Sequence, residues 1–347
     1  MKVLTVVGAR PQFVKAAPVS IALTAAGHQE VLIHTGQHYD DGMSAVFFRE
    51  LGMQEPHVDL GIGSLPRGEQ VRRMLDGVSA AIARDRPDRV LVYGDTNSTL
   101  AAALAASLAD VALAHVEAGL RSFDRSMPEE ANRIVTDHIS DLLFCPSDAS
   151  LANLEAEGIV EGVHVVGDVM LDALTMVSDG RGVGVLADLG LTPGEYVFAT
   201  VHRASNTDDV SKLTSIMTAL GELKERVVLP MHPRTAAALQ RAGYVAAPSV
   251  SLIEPVGYVE SVALIGSARV VATDSGGMQK EAFWLKTPCV TMRDQTEWTE
   301  TVDAGWNVVV GADTVRITDA VKAARAPDGH PPLYGEPGAA GRLVELL

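Results

Sequence analysis

Cysteine is scarce. Cys145 and Cys289 stand far apart in the 347 residues, with no CxxC pair and no Cys/His cluster around either. That excludes a disulfide framework and a zinc module, and it fits a reducing compartment. Positive charge is the minority sign. The 28 Lys and Arg against 44 Asp and Glu leave a formal net charge of −16, the wrong sign for a protein that coats nucleic acid. Long apolar runs are missing too. The most apolar later stretch, Ser98 to Val116, is rich in alanine and interrupted by Asp110, whereas a membrane span needs ~20 mostly apolar residues. It reads as a core helix followed by a strand. The opening MKVLTVVGARPQFVK has too short an apolar part for a secretory signal and reads as a buried strand entering a turn, so the expected location is cytoplasmic. Two nucleotide signatures are also absent. No GxxxxGK[ST] occurs, and the GxGxxA string from Gly182 to Ala187 follows a loop and not a strand, so P-loop and NAD chemistry lose their support.

What is present is an ordinary globular composition, with 47% hydrophobic and 21% charged residues. Domains hold ~100–200 residues, so this length predicts two. Short runs of Val, Ile and Leu recur at Val3–Val7, Val31–His34, Val90–Val92, Val111–Ala114, Leu142–Cys145 and Val163–Val166. A second set follows at Tyr196–Val201, Val227–Leu229, Val250–Ile253, Val270–Thr273, Cys289–Met292 and Val308–Val310. Segments of helical periodicity, such as Ser211–Leu223 and Met278–Leu285, separate the runs. This is the rhythm of βα units and predicts two doubly wound parallel sheets. Glycine, proline and aspartate cluster between Gly167 and Glu195, which puts the domain cut near 170. The expected domains are 1–169 and 170–335, with a last helix, 336–347, crossing back to the first. Ligands in open α/β sheets bind at the carboxyl ends of strands, so two such domains are expected to face each other across the active site.

Residues able to do chemistry do follow strands. Gly8-Ala9-Arg10-Pro11 closes the first run and opens a helix carrying Lys15, a natural anion site. Thr273-Asp-Ser275-Gly276-Gly277-Met-Gln-Lys-Glu281 joins a capping serine to two glycines that let a diphosphate approach, with Glu281 further along for a ribose diol. Asp95, Glu117, Glu129 and Glu130 are carboxylates near strand ends, suited to acid and base work. Glu129 and Arg133 have i, i+4 spacing and can pair. His202 and His232 each follow a strand and could carry protons or bind phosphate, or simply cap helices.

Taken in order, GARPQFVKAAP, GDTNST, HVEAGLRS, PEEANR, DSGGMQKEA and MRDQTEWTETVDAGWNV resemble the non-hydrolysing UDP-N-acetylglucosamine 2-epimerase family, from residue 8 to about 310. The resemblance implies a glycosyltransferase-B type fold, a homodimer, and inversion at sugar carbon 2 without NAD or metal. UDP leaves as the carbon 2 proton is removed, a 2-acetamidoglucal forms, and UDP re-adds after protonation on the other face. By the same resemblance Asp95, Glu117 and Glu129 are acid, base or stabilising carboxylates, with Arg133 beside them. His202 assists the leaving diphosphate. Arg10, Ser275, Gly276 and Gly277 meet phosphates, and Glu281 meets the ribose; Lys15, near Arg10, is expected among the residues that bind the UDP-sugar. Gln37, His38, Arg73 and His232 resemble positions that bind a second, activating UDP-sugar in bacterial members, His232 being a UDP-sugar ligand in either role. Many members carry Glu two residues after the His-Arg pair, where this chain has Ser205. The TEWTETVDAGWNV form also resembles a subgroup acting on diacetamido-glucuronate nucleotides. The rival functions are a hydrolysing relative that releases N-acetylmannosamine and UDP, a glycosyltransferase, and a silent nucleotide-sugar sensor.

Overall fold

The apolar runs become strands that are largely buried at the centre of each sheet and part-exposed at its edges, because helices cover both faces of a parallel sheet and leave no polar side to alternate with. The computed structural model describes residues 1–37, 50–63, 65–178 and 180–347, with Arg10 described by its backbone. Two units divide the chain. The first, Met1–Met176 with Tyr334–Leu347, holds β1 (Lys2–Val7), β2 (Gln29–His34), β3 (Val58–Asp59), β4 (Arg89–Tyr93), β5 (Ala112–Val116), β6 (Leu142–Cys145) and β7 (Val163–Val165). All pair in parallel in the order β3-β2-β1-β4-β5-β6-β7. On one face Leu4 and Val6 of β1 pack with Val31, Ile33, Val90 and Val92, and with Val78, Ala102 and Ala106 from the covering helices. Truncating a core leucine such as Leu4 to alanine costs about 2–5 kcal/mol. The alanine-rich stretch is, as expected, a helix, Asn97–Leu108, running into β5. The two-residue edge strand β3 is too short to show as an apolar run.

The second unit, Val177–Leu333, holds β8 (Tyr196–Thr200), β9 (Arg226–Pro230), β10 (Val250–Ile253), β11 (Val270–Thr273), β12 (Cys289–Thr291) and β13 (Asn307–Val309). Its sheet is again wholly parallel, in the order β10-β9-β8-β11-β12-β13. Each sheet therefore reverses its direction of growth once, between β1 and β4 in the first and between β8 and β11 in the second. At such a switch point the loops leaving the two central strands diverge and open a crevice at their carboxyl ends. The residues after β1, β4, β8 and β11 are the ones to inspect.

The divide falls at Met176 and not near 170, because the helix Val169–Val177 is tied to the returning C-terminus. Asp172 on that helix accepts from the backbone N–H of Gly338 (2.5 Å) and Ala340 (2.7 Å), and so caps the helix Ala339–Leu346 from outside. Arg342 Nε donates to the Val166 carbonyl at 2.9 Å. The C-terminal helix belongs to the first unit. Among the described residues no helix is long and apolar enough to cross a membrane.

Candidate active site

Two loops of the first unit bring charge together at its switch point. Gly8, after β1, is required by close approach: a Cβ there would lie 2.1 Å from both Ser98 Oγ and Thr35 Oγ1. The Gln12 side chain accepts from the N–H groups of Gly8 (2.8 Å) and Ala9 (3.0 Å), and its amide donates to the Tyr93 carbonyl at 2.9 Å. Arg10 opens the helix Arg10–Ala25. Lys15, one turn on, is buried and forms an ion pair with the equally buried Glu117. Its anion in this structure is a carboxylate of the protein. Glu117 itself has φ +70°, a left-handed conformation that costs a non-glycine residue about 1–3 kcal/mol and clusters at functional sites. Gly94, after β4, makes room for the pair, since a Cβ there would stand 3.2 Å from both Glu117 Oε2 and Lys15 Nζ.

Asp95, a third exposed, forms an ion pair with Arg133, whose Nη1 also reaches Glu130 Oε2 at 3.0 Å. The expected pairing of Arg133 with Glu129 is not made. Glu130 takes the guanidinium because its buried carboxylate is fixed by the N–H groups of Ser122 and Phe123, each at 2.9 Å, and by the Ser122 hydroxyl at 2.9 Å. Glu129 lies half-buried in the first turn of the helix Pro128–His138 and has no ion pair among the described residues. Behind these loops runs a buried chain of charges. Asp137 accepts from His115 Nδ1 (2.7 Å), Arg121 Nη1 (2.6 Å) and the Gly119 N–H (3.2 Å), and Arg121 forks onto Glu157 at 2.6 and 2.8 Å. Burial alone would raise Asp137, but His115 and Arg121 hold its carboxyl below the usual range.

Gln37 is half-buried and accepts from Ser98 N–H (2.9 Å) and Ser98 Oγ (2.8 Å), serving the start of the helix Asn97–Leu108. Arg73 sits on the helix Arg67–Asp85, exposed, with its Nε 2.7 Å from Glu69 Oε1. It also lines a surface hollow with Leu60, Ile62 and Leu65. His38 lies outside the described residues.

The second unit presents backbone and a histidine couple. Ser275 caps the helix Gly276–Trp284, its Oγ accepting from Met278 N–H at 3.4 Å. Gly276 is required because a Cβ would lie 2.5 Å from Glu297 Oε1. Glu297 is buried beside Arg293 (2.9 Å) and at 4.0 Å from Arg203; burial pushes its carboxyl up, and the two guanidinium groups bring it below the ordinary value. Gly277 and the buried Glu281 follow on the same helix. After β8, His202 Nδ1 stands 3.2 Å from Asp274 Oδ1, while the wholly buried Asp274 also accepts from the N–H groups of His202 (3.0 Å) and Arg203 (2.9 Å) and from Asn206 Nδ2 (3.1 Å). A carboxylate on Nδ1 fixes the orientation of the ring. His232 lies with its ring centroid 5.6 Å from that of His202, and its Nδ1 caps the helix Pro233–Ala242 by accepting from Arg234 N–H at 3.2 Å.

Residues 22–347 match the UDP-N-acetylglucosamine 2-epimerase family. The chain belongs to that isomerase family. A Pseudomonas aeruginosa UDP-2,3-diacetamido-2,3-dideoxy-D-glucuronate 2-epimerase is 46% identical over 359 residues, covering 100% of this chain and 99% of its own. A Methanococcus maripaludis UDP-N-acetylglucosamine 2-epimerase homolog is 45% identical over 358 residues at the same coverage. The crystal structure of the Methanocaldococcus jannaschii UDP-GlcNAc 2-epimerase, in complex with UDP-GlcNAc and UDP, is 38% identical, with a TM-score of 0.93 over 100% of this chain and 99% of that one. The fold class expected from the sequence, two doubly wound α/β units of glycosyltransferase-B type, therefore stands.

Within this epimerase family the chain's departure at Ser205 is exposed, while the carboxylate that meets the His202 ring comes from Asp274, 72 residues away. Asp274 was legible as part of the DSGG run but not as a partner of His202. His115 and Arg121 lay inside HVEAGLRS, and Glu130 beside Glu129; nothing in their spacing distinguishes the group that pairs from the group that does not.

Proposed function

We propose that this epimerase family member interconverts UDP-N-acetylglucosamine and UDP-N-acetylmannosamine by anti elimination of UDP to 2-acetamidoglucal and re-addition, without a cofactor. The observation that carries the reading is Glu117: a buried carboxylate, in a left-handed backbone conformation, kept beside the ammonium of Lys15. Glu117 and Asp95 serve as the proton-transfer carboxylates, with Glu129 as a further stabilising group and Arg133 holding Asp95. Lys15 serves Glu117. His202, oriented by Asp274, assists the departing diphosphate; Arg10, Ser275, Gly276 and Gly277 bind phosphate, Glu281 the ribose, and His232 the UDP-sugar. Gln37, His38 and Arg73 form a second UDP-sugar site, and the enzyme is a cytoplasmic homodimer. Size-exclusion chromatography with light scattering tests the dimer.

A second substrate, a UDP-diacetamido-glucuronate, is favoured by the 46% identity to the Pseudomonas aeruginosa enzyme. A proton NMR time course in deuterated water with each nucleotide sugar decides. UDP-N-acetylmannosamine deuterated at carbon 2 supports the first reading. Turnover confined to the diacetamido sugar supports the second. Release of free N-acetylmannosamine with UDP would replace both with hydrolysis.

A further inference from the structure

One buried histidine touches both carboxylate loops. His115, on β5, is fully buried, and each ring nitrogen has one neighbour: Nδ1 is 2.7 Å from Asp137 Oδ1, and Nε2 is 2.7 Å from the carbonyl oxygen of Gly94. We infer that His115 is a positioning residue: its Nε2–H donates to the Gly94 carbonyl, its Nδ1 shares a hydrogen bond with Asp137, and the ring so held locks the loop carrying Asp95 onto the loop carrying Glu117. The inference rests on the proposed roles of those two carboxylates.

The hydrogen count fixes one end of the ring. A peptide carbonyl can only accept, so Nε2 carries a hydrogen. The other oxygen of Asp137 is occupied by the obligate donors Arg121 Nη1 and Gly119 N–H. One hydrogen between Nδ1 and Oδ1 completes the contact, so both ring nitrogens are satisfied in a place water does not reach, where an unmade bond costs more than at the surface. The surrounding charges agree. Asp137 lies on the helix Pro128–His138, Arg121 in the loop after β5, and Glu157 after the helix Asp148–Ala156, so that cations and anions alternate along the chain of contacts. His138 stands 3.2 Å from Glu157 at its outer end. The Cys145 thiol, on the neighbouring strand β6, is pushed up to about 12 by burial and by Asp137, and so stays uncharged. Lys15 and Glu117 compensate each other on the far side of Gly94.

The consequence is geometric. The Gly94 N–H donates to the Val116 carbonyl at 2.9 Å, so Gly94 is held to β5 by both its amide groups, one through His115. Asp95 follows Gly94 and Glu117 follows Val116, so the two carboxylates ride on one clamped pair of peptides. Small displacements of such groups lower turnover by about 100-fold even when binding persists.

Ring-15N histidine NMR on the wild-type protein is the first test. A hydrogen on Nε2 of one histidine, protected from solvent exchange, is expected. A bare Nε2 on the fully buried ring would overturn the clamp. The kinetic arm uses His115→Gln, which can serve Gly94 or Asp137 but not both. Its kcat should fall about 100-fold, with KM for the UDP-sugar changed by less than about threefold. Wild-type kcat in this variant, with Asp95→Asn and Glu117→Gln inactive, would overturn the positioning role and leave the functional reading standing. If all three variants keep full activity, the functional reading itself falls. If His115→Gln does not fold, the wild-type NMR still decides.

Discussion

The carboxyl edge of the first sheet is crowded with side-chain charge that is already paired, whereas that of the second is built from a capped helix, close-packed glycine and one histidine–aspartate couple. In the first unit Lys15 meets Glu117, Arg133 meets Asp95 and Glu130, and His115 and Arg121 meet Asp137. In the second, Ser275 and Gly276 keep a helix start in shape, and the buried charges near it, Glu297 with Arg293, serve its packing. On the proposed function, the difference is one of task. Groups that must take and return protons need fixed positions and known charge, which paired neighbours supply. A surface that receives a diphosphate needs backbone donors and approach, which small residues and a helix start supply.

The contrast is broken most strongly by removing a charge from the first edge. Glu117→Gln and Asp95→Asn should each lower kcat by about 10²–10⁴-fold, the usual contribution of a proton-transfer group. UDP affinity, measured by calorimetry, should stay within about threefold, because the proposed phosphate ligands Ser275, Gly276 and Gly277 lie in the other unit. Variants of both residues with full turnover would show that the paired edge is structural only.

Much of this contrast was legible before the fold was known, and the limit is instructive. Strand-end residues follow from apolar runs, since a parallel sheet puts every such end on one edge, and Asp95, Glu117, His202 and Ser275 all fall there. Pairing was less legible. Spacing on a helix joins Glu129 to Arg133, yet Glu130 takes the guanidinium, because two backbone N–H groups of a loop eight and seven residues earlier fix its carboxylate. His202 finds its partner 72 residues along the chain, through the adjacency of β8 and β11. Sheet order, which sequence periodicity does not encode, decides such contacts. The two-residue β3 escaped because it is too short to form an apolar run, and the hold of Asp172 on the C-terminal helix because its partners lie 166 and 168 residues along the chain.

Stability sharpens the comparison next. Asp137→Ala would leave Arg121 and His115 without their shared anion and should cost about 3–5 kcal/mol, read from the urea midpoint. The acid response follows from the sign of the shift. Asp137 lies below its ordinary value when folded, so its stabilisation is complete above about pH 4 and is lost as the pH falls through the folded value. Asp137→Ala should therefore flatten the acid limb of the stability profile. An unchanged acid limb would mean that the buried chain of charges does not couple to folding.

A smaller effect is expected at the second edge. Gly276→Ala puts a methyl carbon 2.5 Å from Glu297 Oε1, and that carboxylate must yield against its hold on Arg293. KM for the UDP-sugar, and Kd for UDP, should rise about tenfold, or about 1.4 kcal/mol, while kcat at saturation changes less than about threefold. The opposite split, a fall in kcat with KM unchanged, would move the proton-transfer work into the second unit and reverse the comparison.

The smallest effect is expected where the two units are alike. Each holds one buried cysteine, Cys145 on β6 and Cys289 on β12, and burial pushes both thiols up to about 12. At about pH 8, where a free thiol is roughly one quarter thiolate, neither should react, since the thiolate is the nucleophile. Iodoacetamide should leave the folded enzyme fully active and unlabelled by mass spectrometry, and should label both residues once urea opens the units. Because the two sulfurs sit in separate cores, the urea dependence of labelling reads each unit's unfolding separately. Labelling of Cys145 ahead of Cys289 in the Asp137→Ala variant would trace that variant's instability to the first unit; equal labelling would assign it to the whole chain.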